Sequence, residues 1–207
     1  MGIEYVTIYA FSIDNFKRKP DEVQSTMNLM QEKIEELLKE ESVVTKYGVR
    51  INFWGNLSLL SQPVRLAVEK ATVSTAKNSG PVLSVCVAYT STYEIMRAIH
   101  KSCADKIGKI QEQYANGHDD GEEIISVADL EQHLYTLDCP DPDILIRTSG
   151  ETRLSNFLLW QTTFTHLQNP APLWPEFSLM HLVWVVLMYQ KAYPYFKERR
   201  SKCKRMH

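Results

Sequence analysis

The chain has 207 residues, of which 44% are hydrophobic and 23% charged, so it is an ordinary folded protein with room for one α/β domain. A net charge of -2 and a pI near 6.3 argue against a general nucleic-acid binder, so any anion site must be local. The 4 cysteines show no CxxC or His-paired metal spacing, which favours a reducing compartment.

The first half of the chain alternates strand and helix patterns. Tyr5 to Phe11 reads as a strand, and Pro20-Asp21-Glu22 opens a helix with proline and acids in its first turn. Val49 to Trp54 is the next predicted strand, and a helix is predicted over Leu57 to Asn78. Val82 to Tyr89 is an almost continuous apolar run, typical of a central parallel strand covered on both faces.

The second half continues this alternation. The predicted elements are a helix from Thr92 to about Tyr114, a polar loop over Asn116 to Glu123, a short helix capped at Ser126 and ending near Leu137, a strand over Ile144 to Ile146, and a final helix after Pro170-Ala171-Pro172. This order predicts an α/β fold with a mostly parallel central sheet flanked by helices, organised as a single domain over 1–207.

The most apolar stretch is Leu179 to Tyr189, which holds 11 residues, against roughly 20 for a bilayer-spanning helix. A buried or partner-facing helix is the favoured interpretation, and a membrane-surface role is the alternative. The basic tail from Lys197 onward is either a solvated helix end or a contact for anionic lipid headgroups. Glu4 interrupts any apolar run at the start, so we expect no signal peptide.

A polar, basic segment follows the predicted strand at Ile144 to Ile146. Arg147 comes first, and Arg153 and Ser155 follow within eight residues. Open α/β sheets bind ligands beyond the carboxyl ends of their strands, and the arginine fork matches phosphate oxygens. The segment therefore predicts a site for a phosphorylated or diphosphorylated small molecule. The alternative is that these arginines are solvated or paired with Glu151.

A second segment of similar character follows the first predicted strand. Ser12, Asn15, Phe16 and Arg18 gather before the helix that carries Glu22. They offer hydroxyl, amide and guanidinium donors with one aromatic ring, although a capped turn explains Ser12 and Asn15 equally well. Neither GxGxxG nor GxxxxGK[ST] occurs, nor do HExxH or GxSxG, so the common nucleotide-binding, zinc-protease and hydrolase motifs have no support.

Together with LWPEF at Leu173 to Phe177, these two segments resemble the cis-prenyltransferases, the family of undecaprenyl and dehydrodolichyl diphosphate synthases. The likeness covers nearly the whole chain, and the variants present look most like the eukaryotic dehydrodolichyl or rubber-type branch. The resemblance implies an enzyme that joins isopentenyl diphosphate to an allylic diphosphate, usually farnesyl diphosphate. Each new double bond is cis, and the product is a long-chain polyprenyl diphosphate.

The resemblance also implies roles for particular residues. Substrate binding is assigned to Arg147, Arg153, Ser155, Arg18, Phe16 and Glu22, and the reacting centre to Ser12 and Asn15. The helix after Pro20 would wall a tunnel for the growing chain. The tunnel candidates are Met27, Met30, Ile34, Leu37, Val85 and Val87, although ordinary core packing explains any single one of them better.

The sequence departs from the family pattern at one important motif. Family members begin with a strand leading into Asp-Gly-Asn-Arg-Arg, whose Asp binds Mg²⁺, and this sequence contains no Asp-Gly-Asn. We expect Mg²⁺ to be bound mainly through that segment and the substrate diphosphates, and we assign no metal ligand here. We also expect a form truncated at the N-terminus, by gene model or splicing, and inactive by itself. A protein that has lost turnover is the alternative.

Two further departures point to the eukaryotic branch. His166 stands where bacterial members carry a metal-binding Glu, and we do not assign it to metal because imidazole is a poor ligand for a hard cation. The Arg-x-Gly motif of homodimeric members is absent from the C-terminus. In the eukaryotic branch a related partner subunit supplies that motif, so we expect such a partner, with Leu179 to Tyr189 and Trp174-Pro175 as contacts.

The resemblance also implies a place in the cell and a competing function. We expect peripheral association with the cytoplasmic face of the endoplasmic reticulum, without a transmembrane segment. The competing function is a catalytically impaired or non-catalytic subunit that stabilises a related prenyltransferase. The retained arginines favour the enzyme, and the missing Asp segment favours the subunit. An unrelated phosphate-binding α/β protein would require every motif match to be accidental.

Overall fold

A computed structural model describes residues 2–115 and 125–203 of the chain. Contacts divide the chain into two compact units, Met1–Cys139 and Pro140–His207, called unit 1 and unit 2 below. The polar loop predicted over 116–123 lies outside the described residues, as does the end of the basic tail, 204–207.

Unit 1 is built on a parallel three-stranded sheet with the order β1-β3-β2. The strands are β1 (Tyr5–Ser12), β2 (Arg50–Trp54) and β3 (Val82–Tyr89). Every residue of β3 from Ser84 to Tyr89 is buried, as expected for a strand with neighbours on both sides and cover on both faces. The predicted parallel sheet with flanking helices is therefore confirmed, and so is the central place of this strand.

The helices of unit 1 are α1 (Pro20–Leu37), α2 (Val43–Tyr47), α3 (Gln62–Thr75), α4 (Ser91–Ala115) and α5 (Val127–Glu131). The apolar faces of α1 and α3 pack with residues of β2 and β3 in one core. This core includes Phe11, Met27, Ile34, Val64, Ala67, Val68, Val85 and Val87. Along α1 and α3, the helical periodicity of 3.6 residues per turn places the core positions on one face of each helix.

Two predicted boundaries were wrong. The helix predicted from Leu57 begins only at Gln62, because Leu57–Leu59 forms a separate 3-10 helix and the proline that follows Gln62 fits only the first turn of α3. The short helix predicted to end near Leu137 ends at Glu131. The helix α2 was not predicted. Ser42 caps its start, and Gly48 ends it with φ of 60°.

The carboxyl ends of the three parallel strands share one edge of the sheet. There Gly55 follows β2 with φ of +142°, and a Cβ at this position would lie 1.8 Å from the backbone oxygen of Val87. The backbone N–H of Asn56 donates to the oxygen of Ala88 at 2.9 Å. The pairing of β1 with β3 shifts register beyond Tyr9, and Ser12 ends opposite Tyr89. This edge therefore carries Ser12 and the segment that follows it.

Unit 2 contains a second parallel pair, β4 (Ile144–Ile146) and β5 (His166–Gln168), and a long helix, α6 (Leu179–Cys203). A 3-10 helix over Trp174–Glu176 precedes α6. Among the described residues, every helix is too short or too polar to cross a bilayer.

An aromatic and ionic cluster fixes α6 to this small sheet. The imidazole of His166 lies 6.0 Å from the ring of Tyr189 and 5.6 Å from that of Phe196. The carboxylate of Asp143, just before β4, accepts hydrogen bonds from the Tyr189 hydroxyl at 2.8 Å and from Arg200 Nη1 at 2.9 Å. Because Tyr189 and Arg200 are more than two turns apart on α6, one carboxylate orients the helix at two levels.

Candidate active site

Arg147 directly follows β4, and its backbone N–H extends the pairing by donating to the oxygen of Gln168 at 2.9 Å. The side chain turns onto its own loop, where Nη1 donates to the backbone oxygen of Arg153 at 2.5 Å and to Ser155 Oγ at 2.7 Å. The guanidinium thus joins both ends of the segment. Arg147 and Ser155, two of the residues predicted to bind diphosphate, are in direct contact.

The backbone of this segment, residues 147–156 and called the diphosphate loop below, is tightly folded. Four of its residues have positive φ: Ser149 (70°), Gly150 (65°), Ser155 (47°) and Asn156 (60°). Such conformations persist where the surroundings hold them. Here the backbone N–H groups of Ser149 and Gly150 each donate at 2.9 Å, to the oxygens of Pro172 and Pro170. The loop is therefore shaped before any ligand arrives.

Arg153 is placed differently from Arg147. Its Nη1 donates to the Glu151 carboxylate, so the alternative of a carboxylate pair is observed for this arginine. The two side chains are 65% and 42% exposed. An ion pair this exposed contributes only about 0–1 kcal/mol, which leaves Arg153 able to exchange its carboxylate for a more highly charged ligand.

The N-terminal segment belongs to unit 1, where Ser12 caps the 3-10 helix Ile13–Lys17. Ser12 Oγ accepts from the N–H of Asp14 at 3.2 Å, and Asn15 Oδ1 accepts from the N–H of Ser12 at 2.8 Å. The capped turn, which the sequence offered as an alternative explanation of Ser12 and Asn15, is thus present. Because it uses only Oδ1 of Asn15, the Nδ2 group is the donor that can face a ligand.

The other residues of this segment surround the cap. The Phe16 ring is half-buried and meets Phe11 edge to face, with centroids 5.0 Å apart. Arg18 is exposed, and its N–H closes the 3-10 helix on the oxygen of Asn15 at 3.1 Å. Glu22 is exposed in the first turn of α1. The segment therefore presents one fixed aromatic ring and exposed polar groups at the carboxyl edge of the sheet.

A buried hydrogen-bond network beside this edge was not predicted. The Tyr9 hydroxyl donates to the backbone oxygen of Tyr89 at 3.0 Å, and the Tyr89 hydroxyl donates to Glu94 Oε2 at 2.5 Å. Glu94 is 0% exposed, and its other oxygen accepts from the N–H of Tyr135 at 2.8 Å. Burial raises the pKa of the Tyr89 phenol, so Tyr89 remains a neutral donor. The sequence did contain one signal for this network, because Glu94 is an acidic residue among the largely apolar residues Tyr93 to Met96.

The family model described as putative undecaprenyl diphosphate synthase matches residues 1–197. The chain belongs to this family of cis-prenyltransferases. It is similar to the dehydrodolichyl diphosphate synthase CPT3 of Solanum lycopersicum, with 53% identity over 97% of this chain and 73% of that protein. The family predicted from the two basic segments and LWPEF is thus confirmed. The chain is a prenyltransferase that acts in cis-prenyl chain elongation.

Two further similarities bear on this cis-prenyltransferase. The human dehydrodolichyl diphosphate synthase complex subunit DHDDS is 38% identical over 97% of this chain and 58% of its own length. The crystal structure of lavandulyl diphosphate synthase from Lavandula x intermedia with dimethylallyl diphosphate has a TM-score of 0.72 and 30% identity. That similarity covers 91% of this chain and 76% of the other. The fold is therefore that of a solved prenyl diphosphate enzyme.

The tunnel candidates of this cis-prenyltransferase lie in the core of unit 1. Met27, Ile34, Val85 and Val87 are buried in it, and Met30 and Leu37 pack against it half-buried. An open groove of about 340 Å³ lies between α1 and α3, and none of the six candidates lines it. Its walls are Gln31, Glu35, Leu38, Gln62, Pro63, Leu66, Ala67 and Lys70. The tunnel remains a prediction.

A protein-held metal ion needs several carboxylate, imidazole or thiolate groups close together. No three His, Cys, Asp or Glu residues among them are grouped so that they could hold a metal ion. His166 Nε2 instead accepts a hydrogen bond from Gln168 Nε2 at 2.7 Å, and burial lowers the pKa of the imidazole. The described residues therefore offer no cluster of protein ligands for Mg²⁺.

Proposed function

We propose that this cis-prenyltransferase adds isopentenyl diphosphate units to an allylic diphosphate such as farnesyl diphosphate and so makes long-chain polyprenyl diphosphates of the dehydrodolichyl type. The observation that carries the proposal is the hydrogen bond from Arg147 to Ser155 across the diphosphate loop, in a chain 53% identical to a dehydrodolichyl diphosphate synthase. This bond orients a guanidinium and a hydroxyl together in a loop with a fixed backbone.

The diphosphate loop would bind the isopentenyl diphosphate headgroup. Arg147 is half-buried and already oriented, so little side-chain entropy would be lost when it binds a phosphate oxygen. Arg153 is exposed and reaches further, and its planar fork suits two oxygens of one phosphate. Ser155 Oγ now accepts from Arg147, and its O–H can donate to the ligand.

The chemistry asks for donors aimed at a leaving diphosphate. In one addition a new C–C bond forms and the allylic C–O bond breaks. Diphosphate leaves with the electron pair of that bond, and the isopentenyl unit loses a proton to give the new double bond. Ser12 and Asn15 would supply hydroxyl and amide donors at the reacting centre, because the capping box fixes both. Arg18 would add positive charge, with Phe16 and Glu22 beside the substrates.

Two parts of the proposal rest on the family. Mg²⁺ would be held through the diphosphate oxygens of the substrates, where it neutralises negative charge. The growing hydrocarbon would pass along the apolar side chains of α1 and β3, and their burial supports an apolar path without showing one. Product length would then depend on how far this path extends.

A partner subunit and a membrane-associated location complete the proposal. Support for a partner comes from the human relative, whose name makes it a subunit of a dehydrodolichyl diphosphate synthase complex. On unit 2 the large apolar side chains of Trp174, Leu179, Met180 and Trp184 are exposed, and exposed apolar side chains of this size suit a protein contact. We propose peripheral association with the endoplasmic reticulum, where a long polyprenyl diphosphate product of the dehydrodolichyl type would be released into lipid.

The experiment is incorporation of labelled isopentenyl diphosphate into extractable polyprenyl product. The chain would be tested with farnesyl diphosphate and Mg²⁺, alone and with a related partner subunit, and the double-bond geometry would be read by NMR. With the partner subunit present, we expect cis-polyprenyl product that requires farnesyl diphosphate and falls sharply in Arg153→Ala. Arg65→Ala, an exposed arginine on α3, is the matched control. Label that stays in the starting material under both conditions, or trans product, would contradict the proposal.

A further inference from the structure

The diphosphate loop contains its own negative group. Glu151 lies between the two arginines in sequence, and its carboxylate accepts a hydrogen bond from Arg153 Nη1. The guanidinium that is most exposed in this loop is thus already bound to an oxyanion of the same chain. A diphosphate that binds Arg153 must first displace this carboxylate.

The backbone of Glu151 is held while its side chain stays exposed. Asn169 Nδ2 donates to the backbone oxygen of Glu151 at 2.5 Å, and the N–H of the preceding residue, Gly150, donates to the oxygen of Pro170. The Glu151 side chain, by contrast, is 42% exposed and that of Arg153 is 65% exposed. The carboxylate can therefore leave Arg153 by a rotamer change, without unfolding of the loop.

The charges decide which anion wins. A carboxylate brings one negative charge to Arg153, whereas a diphosphate brings two or three and can also bind Arg147. An exposed ion pair shifts an equilibrium by no more than about fivefold, so the carboxylate lowers the affinity of a diphosphate without preventing its binding.

We propose that Glu151 is a built-in competitor of the substrate. Its carboxylate occupies Arg153 in the free enzyme, is displaced by the diphosphate headgroup, and returns when the headgroup leaves. Glu151 thereby sets the affinity of the loop and favours release after each addition. This inference rests on the proposed diphosphate site and adds the group that opposes binding there.

The competing role differs in sign from an orienting role. If Glu151 merely positioned Arg153, removal of its charge would weaken binding of the ligand. If it competes, removal of its charge strengthens binding, and only while Arg153 is present. Glu151→Gln suits the test because it keeps the shape and one acceptor oxygen and removes the charge.

The experiment is calorimetric titration with inorganic pyrophosphate of wild type, Glu151→Gln, Arg153→Ala and the double variant. We expect Glu151→Gln to bind pyrophosphate about two- to fivefold more tightly, the range of one exposed pair. It should give little gain in the Arg153→Ala background. Glu69→Gln, an exposed carboxylate on α3, is the matched control and should change nothing. In turnover, Glu151→Gln should lower the KM for isopentenyl diphosphate without raising kcat.

The outcomes separate this inference from the proposed function. Unchanged or weaker pyrophosphate binding by Glu151→Gln, with binding still lost in Arg153→Ala, would overturn the competitor and leave the diphosphate site standing. A gain of equal size in the Arg153→Ala background would also overturn it. Absence of pyrophosphate binding in wild type and Glu151→Gln alike would overturn both the inference and the site.

Discussion

Replacement of Arg147 by alanine is the most informative change at the diphosphate loop. It removes a half-buried guanidinium whose Nη1 bonds to the Arg153 oxygen at 2.5 Å and to Ser155 Oγ at 2.7 Å. Under the proposed binding mode, the variant would lose the direct contact between Arg147 and the headgroup, and it also loses the bonds that orient the loop. Loss of a charge-assisted contact is worth about 1.5–3 kcal/mol, so isopentenyl diphosphate should bind about 10- to 150-fold more weakly.

Two companion variants divide this loss between charge and geometry. Arg147→Lys keeps the charge without the planar fork, so its affinity should fall between that of wild type and that of Arg147→Ala. Ser155→Ala removes one neutral hydroxyl and should weaken binding by about two- to tenfold. Because Arg147 and Ser155 touch, the double alanine variant should lose less than the sum of the single losses.

The assay is calorimetric titration of isopentenyl diphosphate, with thermal unfolding measured on each variant. Arg199→Ala is the matched control, because this arginine of α6 in unit 2 bonds instead to the Tyr195 hydroxyl at 2.7 Å. The reasoning is refuted if Arg147→Ala binds within twofold of wild type, or if Arg199→Ala loses as much affinity.

Three further predictions concern the fold. Gly55→Ala should lower the free energy of unfolding by about 2–4 kcal/mol in denaturant titration, because its Cβ would meet a backbone oxygen at 1.8 Å. Gly108→Ala is the control, and it should be neutral or stabilising because a Cβ there would have nothing within 4 Å. Equal changes in the free energy of unfolding for the two variants would contradict this prediction. Asp143→Asn should cost about 1 kcal/mol by the same method, because it breaks the exposed ion pair with Arg200, and no change would show that this pair does not fix α6. The pKa of Tyr189 is raised from 10.0 to about 12, mainly by burial and secondly by the hydrogen bond to Asp143. The folded chain therefore holds the phenol proton up to a higher pH than the unfolded chain. The stability that Tyr189 contributes is complete below pH 10 and is lost as the pH rises through about 12. Tyr189→Phe should flatten that decline in unfolding midpoint, and an identical alkaline profile would contradict the assignment.

Strand-end positions were the part of the site that the sequence could predict. Arg147 follows an apolar triplet, and Ser12 follows a run of β-branched and aromatic residues, so both were expected just beyond strand ends. Arg147 does lie directly after β4, whereas Ser12 is the last residue of β1. The hydrophobic run of β3 identified the central strand for the same reason. These patterns are local, and burial on both faces leaves a clear record in residue type.

Features that depend on residues distant in the sequence, or on the rotamer of a side chain, could not be predicted in this way. The strand β5 is only three residues long, and its one apolar residue, Leu167, is exposed between two polar residues. Neither its length nor an apolar run therefore marks it as a strand. Asn169 fixes the backbone of Glu151 from eighteen residues away. The Glu151 to Arg153 pair was foreseen only as an alternative, because sequence spacing does not reveal which rotamer an exposed arginine adopts.

The central claim is that the guanidinium groups of the diphosphate loop bind a diphosphate headgroup. Side-chain ¹⁵N NMR of the arginine Nε–H groups tests it most directly, with isopentenyl diphosphate added and with isopentenol, which lacks the headgroup, as the matched ligand. The account predicts that the signals of Arg147 and Arg153 move with isopentenyl diphosphate and stay in place with isopentenol, while the Arg199 signal stays in place with both. Binding of isopentenyl diphosphate that leaves the Arg147 and Arg153 signals unmoved would contradict the account.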